Sequence, residues 1–389
     1  MEFTVAFYVC IAFLGAVLIT GARRRPADDM AFFDRISVKE IQGAIAVFIM
    51  FHHIVVALDA IYEYCGEMHF FYYYGILAVA FFFFSSGFGL MKRWKTDDNY
   101  IKGFMKRRIF TVLVPFFICN YIYLTDALLN NIAFRKHFGF GEVICSFFGI
   151  FLVNNEMWFA VEIMILYVTF RIVFAKIRKP AAGIVIMTLV VLVMVVIGLV
   201  SGHSQTGVMS YWFKGEWWYN TILMFPVGML YAHKEERINK VIKKAFVSIL
   251  IASSVLLVLM DYIHRVLIAN SIYYTEYAYI SSPNPLLDKL LGLGQESLFE
   301  LTFLILVVTI LSRVKIGNPV IRFFGKISLE MIMLNYLMID KLYFLYDEFG
   351  IYVYLPAVVI GTILSASLIY VIKNIVLERR SGLFDGKVT

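Results

Sequence analysis

The sequence predicts an all-α fold, a polytopic transmembrane helical bundle of about eleven spans, and three observations predict it. Of 389 residues, 61% are hydrophobic and only 16% charged, with a mean hydropathy of +0.79. An average soluble domain carries about 25% charged residues, so a soluble enzyme is excluded. The apolar residues fall in repeated runs of about 20, the length that crosses a ~30 Å hydrocarbon core at ~1.5 Å per residue. These runs do not alternate apolar and polar residues, as the strands of an outer-membrane barrel do.

In order, the spans cover residues 3 to 20, 37 to 58, 72 to 91, 109 to 129, 156 to 175, 182 to 200, 217 to 232, 245 to 263, 297 to 312, 327 to 345 and 352 to 376. The first is no secretory signal: Glu2 precedes it and Arg23, Arg24 and Arg25 follow it, the reverse of a signal peptide's charge order. Residues 1 to 25 are therefore expected to be an extra N-terminal anchor, residues 30 to 380 one membrane domain with a ten-helix core, and residues 381 to 389 a short tail. The apolar stretch from Val143 to Val153 is too short to cross and reads as re-entrant or interfacial. No internal repeat or low-complexity linker interrupts the pattern.

The net charge of +7 is distributed as a topology signal and not as a nucleic-acid surface. Segments on one side of the zigzag, between Arg23 and Lys39, Lys92 and Arg108, Arg171 and Lys179, Lys234 and Lys244, Arg313 and Lys326, and Lys373 and Lys387, hold 29 of the 35 Lys and Arg residues. By the positive-inside rule that side is cytoplasmic, which predicts a plasma-membrane protein with its N-terminus outside and its C-terminus in the cytoplasm. The four cysteines, Cys10, Cys65, Cys119 and Cys145, show no paired spacing, so neither a disulfide framework nor a metal site is expected.

Ionisable residues inside spans are costly and mark function by default. The second span carries Gln42, His52 and His53. Gln42 and His53 lie eleven residues apart, on one helix face and ~16 Å apart along it, and His53 stands ~21 Å above Lys39, in the outer third of the core. The same histidine pair also fits an interfacial role, its rings reaching outward to water.

Here the sequence resembles the membrane-bound acyltransferase family 3, whose members carry Arg or Lys, ten residues, then His in an early helix. His53 falls on that histidine and Gln42 on the basic position. Phe82-Phe83-Phe84-Ser85-Ser86-Gly87 fits the family's Phe-Phe-x-x-Ser-Gly pattern unchanged. The block from Lys106 through Arg107 and Arg108 to Pro115 resembles the family's Arg-x-x-Arg before proline, with Thr111 on the second arginine. Trp158-Phe159, Phe225-Pro226-Val227-Gly228 and Gly325-Lys326-Ile327-Ser328 resemble later blocks, and Asn335 stands where a histidine is usual. The resemblance runs from about Ser37 to Asn335.

The resemblance implies an integral membrane enzyme that O-acylates surface polysaccharides or related extracytoplasmic acceptors. The donor would be acyl-CoA, acetyl-CoA in the first instance, with no metal required. The loop from Lys92 to Arg108 is the most basic and would pair the phosphates of CoA, with Gln42, Ser86, Gly87, Arg107 and Arg108 as the binding candidates. Neutral imidazole suits deprotonation of a hydroxyl near neutral pH, so His53 is the expected general base. Glu162, placed by helical rise at the depth of His53, is its expected partner. His52, Trp158 and Asn335 are expected near the substrate, and Asn335 and Ser86 would donate to a developing oxyanion. Membrane lipids and a saccharide or lipid-linked saccharide are the expected partners.

Other polar residues read as ordinary. Glu300, Asp340 and Lys341 are expected near span ends and water, and Trp212, Trp217 and Trp218 in an interfacial belt. The segment from Tyr262 to Glu296 is the longest outer loop. Two further readings stay open: a transporter or flippase of a polar or lipid-linked solute, and a non-catalytic family member.

Overall fold

A computed structural model describes residues 2–26, 28–62, 65–130, 138–201, 210–214, 218–269 and 284–385. Among these, eleven long helices stand at the eleven expected places. They are α1 (Glu2–Ile19), α2 (Arg35–Tyr62), α3 (His69–Thr96), the composite of α4 (Phe104–Arg108) and α5 (Val114–Asn130), α7 (Trp158–Lys176), α8 (Pro180–Ser201), α9 (Met224–Lys244), α10 (Phe246–Ala269), α11 (Pro285–Leu311), α12 (Pro319–Lys341) and α14 (Ile351–Asp385). Short helices α6 (Phe140–Phe147) and α13 (Phe344–Phe349) complete the set. Nine of the long helices are long and apolar enough to cross a membrane, two fewer than the sequence suggests. The exceptions are α9, which runs on from its apolar half into Lys234 to Lys244, and α12, which carries Arg322, Lys326 and Glu330.

Two helix pairs cross close enough to exclude side chains. A Cβ on Gly87 of α3 would strike the Phe225 carbonyl of α9, and one on Gly228 of α9 would strike the Phe84 carbonyl. The crossing of α2 and α12 repeats the device: Gly43 faces the Ile321 carbonyl and Gly325 the Lys39 carbonyl. Only glycine permits such contact of backbones, which in an apolar solvent is a main source of helix association. Gly87, expected at the donor site, lies at this crossing.

The basic ends of the helices are tied by ordered loops. Arg25 is buried, and its guanidinium donates to the carbonyls of Leu311 (2.7 Å), Ala31 (2.9 Å) and Phe32 (3.2 Å) and to Asp29 (2.6 Å). Asn318 caps two helices at once: its oxygen accepts the Val320 and Ile321 amides at the start of α12, and its nitrogen donates to Val17 and Thr20 at the end of α1. Asp34 caps α2 by accepting the Ile36 and Ser37 amides and the Ser37 hydroxyl. Burial alone would raise the Asp34 carboxyl, but these donors and nearby Lys315 hold it below its ordinary range. A cap of this kind contributes about 1 kcal/mol.

At the opposite end, the stretch from Val143 to Val153 does not cross. It forms the end of α6 and a two-residue strand, Phe151–Leu152, paired antiparallel with Ser210–Tyr211. Its exposed Phe147 and Phe148 present an apolar face. The loop after α10, expected on the outer side, is shorter than the sequence suggests, because α10 continues to Ala269 and α11 begins at Pro285. Trp217, Pro283 and the segment 270 to 283 lie outside the described residues, as do residues 386 to 389 of the tail. Trp218 is buried beside Trp212 and is no exposed belt residue. Glu300, expected near water, is fully buried within α11.

Candidate active site

A cavity of about 270 Å³ opens among α2, α3 and the start of α7, at the end of the bundle away from the basic loops. His52 and His53 of α2 both line it, with Glu156, Trp158, Tyr73 and Thr221. Adjacent helical residues point ~100° apart, so one histidine would be expected to face elsewhere. The cavity accommodates both because Gly75 of α3 has no side chain: a Cβ there would strike the His52 ring. His52 Nδ1 lies 3.0 Å from the Phe71 carbonyl, which can only accept, so Nδ1 is a donating nitrogen.

The partner of His53 is Glu156, not Glu162. Nε2 of His53 lies 3.4 Å from Oε2 of Glu156, while both oxygens of the buried Glu162 accept nothing from the described residues. Helical rise fixes a residue's depth but not its direction. The six residues from Glu156 to Glu162 rotate a helix by about 600°, which turns Glu162 to a different face. Glu156 occupies a single 3-10 turn, Asn155–Met157, whose cap Asn154 accepts the Glu156 amide at 3.1 Å. With Nε2 turned to the carboxylate, the buried Nδ1 of His53 is the ring nitrogen that has no partner among the described residues.

Asn335 does not face His53. Its nitrogen donates to Thr362 of α14 at 3.3 Å, and Tyr336 is the α12 residue whose ring lies 5.0 Å from the His53 ring. Tyr123 of α5 sets this part of α12: its hydroxyl donates to the Met333 carbonyl at 3.0 Å and accepts the Leu337 amide at 2.8 Å. Those two groups are the ends of one ordinary helical hydrogen bond, so the hydroxyl is inserted into the helix. Sequence pattern gives no sign of this, because a tyrosine inside an apolar span reads as packing.

Below the cavity, Phe82 and Phe159 meet edge to face at 5.9 Å and form part of its floor with Ile49 and Ile332. Beneath that floor a second polar cluster faces the basic end. Gln42 donates to Ser85 at 2.8 Å. Tyr167 donates to Ser86 at 3.4 Å, and the Arg108 guanidinium lies over the Tyr167 ring at 4.7 Å while donating to the Tyr100 hydroxyl at 2.9 Å. Nε of Arg108 is buried with no partner among the described residues. Arg107 is differently placed, its nitrogens donating to the carbonyls of Tyr100 (2.6 Å) and Lys102 (3.2 Å). Both arginines precede a π-helical turn, Ile109–Leu113, ahead of Pro115. Such turns arise where a helical amide is missing or displaced, and they are frequent at functional sites. Lys373 of α14 is paired with Glu330 of α12 in the buried interior.

The sequence departures at Gln42, Thr111 and Asn335 each have a bonded place: Gln42 on Ser85, Thr111 on the Arg107 carbonyl at 2.9 Å, Asn335 on Thr362. Among the described residues no group of three or more His, Cys, Asp or Glu side chains is arranged to hold a metal ion.

A bundle of apolar helices long enough to cross a membrane, with a His–Glu pair at one end and an arginine cluster at the other, defines the class: a multi-pass membrane protein. A family model described as an acyltransferase domain matches residues 41–373, and the chain belongs to that acyltransferase 3 family. The match covers both clusters and leaves α1 outside it. No curated protein and no solved structure matches the chain.

Proposed function

We propose that this membrane acyltransferase moves an acyl group, acetyl in the first instance, from cytoplasmic acyl-CoA to a hydroxyl of an extracytoplasmic carbohydrate. The observation that carries the reading is the His53–Glu156 pair in a cavity at the end of the bundle opposite the basic loops. The positive-inside rule puts the basic loops in the cytoplasm, the N-terminus outside and the protein in the plasma membrane.

On this reading Arg108 receives the phosphates of CoA, aided by the other cations of the 92 to 108 segment. Charge-assisted bonds to phosphate suit its planar guanidinium. Arg107 holds the shape of that segment through the Tyr100 and Lys102 carbonyls. The pantetheine arm rises past Ser86 and the Phe82 and Phe159 floor toward His53, a climb of about 20 Å by the helical rise from Lys39. Both rings must turn aside for the thioester to enter, so the floor also closes the path between the two compartments when no donor is bound.

In the cavity the acceptor hydroxyl attacks the thioester carbonyl carbon while Nδ1 of His53 takes its proton. The C–S bond breaks, and the proton passes from His53 to the departing thiolate, leaving an ester and free CoA. Glu156 keeps the proton on Nε2 and stabilises the imidazolium between the two transfers. Trp158, Tyr72 and Tyr73 give the cavity the aromatic faces on which a sugar ring stacks.

The test is transfer of radiolabelled acetyl from acetyl-CoA into membrane-associated saccharide, in sealed vesicles of known orientation. Label appears in the compartment opposite the donor if the proposal holds. Solute uptake without ester formation would overturn it in favour of a transporter.

A further inference from the structure

A second cavity, about 510 Å³, lies on the opposite side of α3 from His53. Its walls come from α1, α2, α3, α10 and α11, with Leu18, Ile41, Phe48, Leu257, Phe303 and Leu311 among them. It is lined along α2 from Ile41 to Phe48 and along α3 from Phe70 to Ala78, a length of about 12 Å. Its lining is apolar except at one end, where the Tyr74 hydroxyl donates to Asp261 at 2.8 Å and Arg265 Nε lies 3.1 Å from both Asp261 oxygens.

That polar end lies beside the His53 cavity. Tyr74 lines the groove and its neighbour Tyr73 lines the His53 cavity, so the two rings leave α3 on different sides. Arg265 spans both: its carbon Cζ lies 4.3 Å from the Tyr73 ring centre, and Nη2 donates to the Tyr74 hydroxyl at 3.3 Å. The Arg265 side chain is 41% exposed, and Nη1 has no partner among the described residues. Asp261 takes the Nε side of this guanidinium and is also bonded by Tyr74, so Nη1 is left as the donor free to meet an anion.

An apolar groove alone selects nothing in a bilayer, because lipid tails are as apolar as its walls. A guanidinium at its mouth does select, since phosphate gains charge-assisted bonds there that a neutral head does not. We propose that the groove seats the hydrocarbon tail of the acceptor, a saccharide carried on a long-chain lipid phosphate. The phosphate sits on Arg265 and the sugar reaches over Tyr73 to His53. This rests on the acyl-acceptor reading and narrows it to lipid-carried saccharides over soluble polymers.

The experiment uses the full chain in phosphatidylcholine nanodiscs and measures retention of two tritiated probes, geranylgeranyl phosphate and geranylgeraniol. The phosphate should bind at least about tenfold more tightly, the weight of one charge-assisted hydrogen bond. Arg265→Gln should erase that preference while leaving the alcohol unchanged, and Leu257→Trp should weaken both probes. Equal binding of the two probes, or a preference that survives Arg265→Gln, would overturn the proposal and leave ordinary annular lipid only. If Leu257→Trp fails to insert, competition by unlabelled geranylgeranyl phosphate against the same tritiated probe replaces it, and non-saturable binding is then the contradicting result. The readout needs no acyl donor. Loss of acetyl transfer with intact phosphate selectivity would therefore count against the transferase reading and not against the groove.

Discussion

Nε2 of His53 and Oε2 of Glu156 lie 3.4 Å apart across the entry of α7, bringing together residues separated by 103 positions in the chain. In the proposed mechanism this contact keeps a proton on Nε2 and leaves Nδ1 to act as the base.

Glu156→Gln should lower kcat by about 10- to 100-fold, the usual effect of removing a carboxylate behind a working histidine. CoA affinity should be unchanged, because the proposed phosphate site is at the other end. Glu162→Gln should retain most of its turnover, since the described residues make no bond to that carboxylate. Stopped-assay kcat values for the two variants, with CoA binding measured alongside, check the ranking. A larger loss in Glu162→Gln would restore it as the partner of His53.

Arg108 and Arg107 should separate under mutation. Arg108→Ala removes the guanidinium whose Nε is left unbonded and should weaken CoA binding by about tenfold or more. Arg107→Ala removes a guanidinium already bonded to two carbonyls, and its effect should be seen first as a lowered melting temperature. Isothermal titration with CoA measures the first and thermal unfolding in detergent the second. Wild-type CoA affinity in Arg108→Ala would place the donor elsewhere.

Tyr123→Phe should destabilise the fold by about 1 to 3 kcal/mol, because the Leu337 amide then loses its acceptor and the Met333 carbonyl keeps only the longer bond from Asn154 at 3.4 Å. If α12 recloses its own bond, Tyr336 shifts against His53 and kcat falls instead. Thermal unfolding and kcat are read together, and a variant matching the wild type in both would show that the hydroxyl sets nothing.

Much of this was legible in the sequence, and the reason is physical. Span length and apolarity are set by the bilayer, so eleven helices can be located from runs of residues alone. What α9 and α12 show is that the apolar run and the helix need not coincide: Lys234 to Lys244 continue the α9 helix beyond its apolar half. His53 was visible because a histidine in a span is rare. Its partner was not, since depth along an axis follows from counting while the facing of Glu156 and Glu162 depends on a 3-10 turn ahead of α7. Arg107 and Arg108 read as equivalent cations, and only their bonds distinguish them. Tyr123 and Gly75 carried no signal, because one acts by entering another helix and the other by leaving space.

Topology is testable on single cysteines placed in a variant without the four native ones. A membrane-impermeant thiol reagent added outside intact cells should label Asp288→Cys near the start of α11 and miss Asp98→Cys beyond α3. The reverse pattern would put the basic loops outside and remove Arg108 from the CoA pool.

The central claim is that His53 deprotonates the acceptor while CoA is held elsewhere, and one paired measurement tests it: acetyl transfer and CoA binding in the same purified, correctly inserted His53→Ala protein. A general base contributes about 10²- to 10⁴-fold, so transfer should fall by that factor with CoA affinity largely intact. His52→Ala, whose ring is engaged with the Phe71 carbonyl, should lose less. Full transfer in His53→Ala would contradict the account.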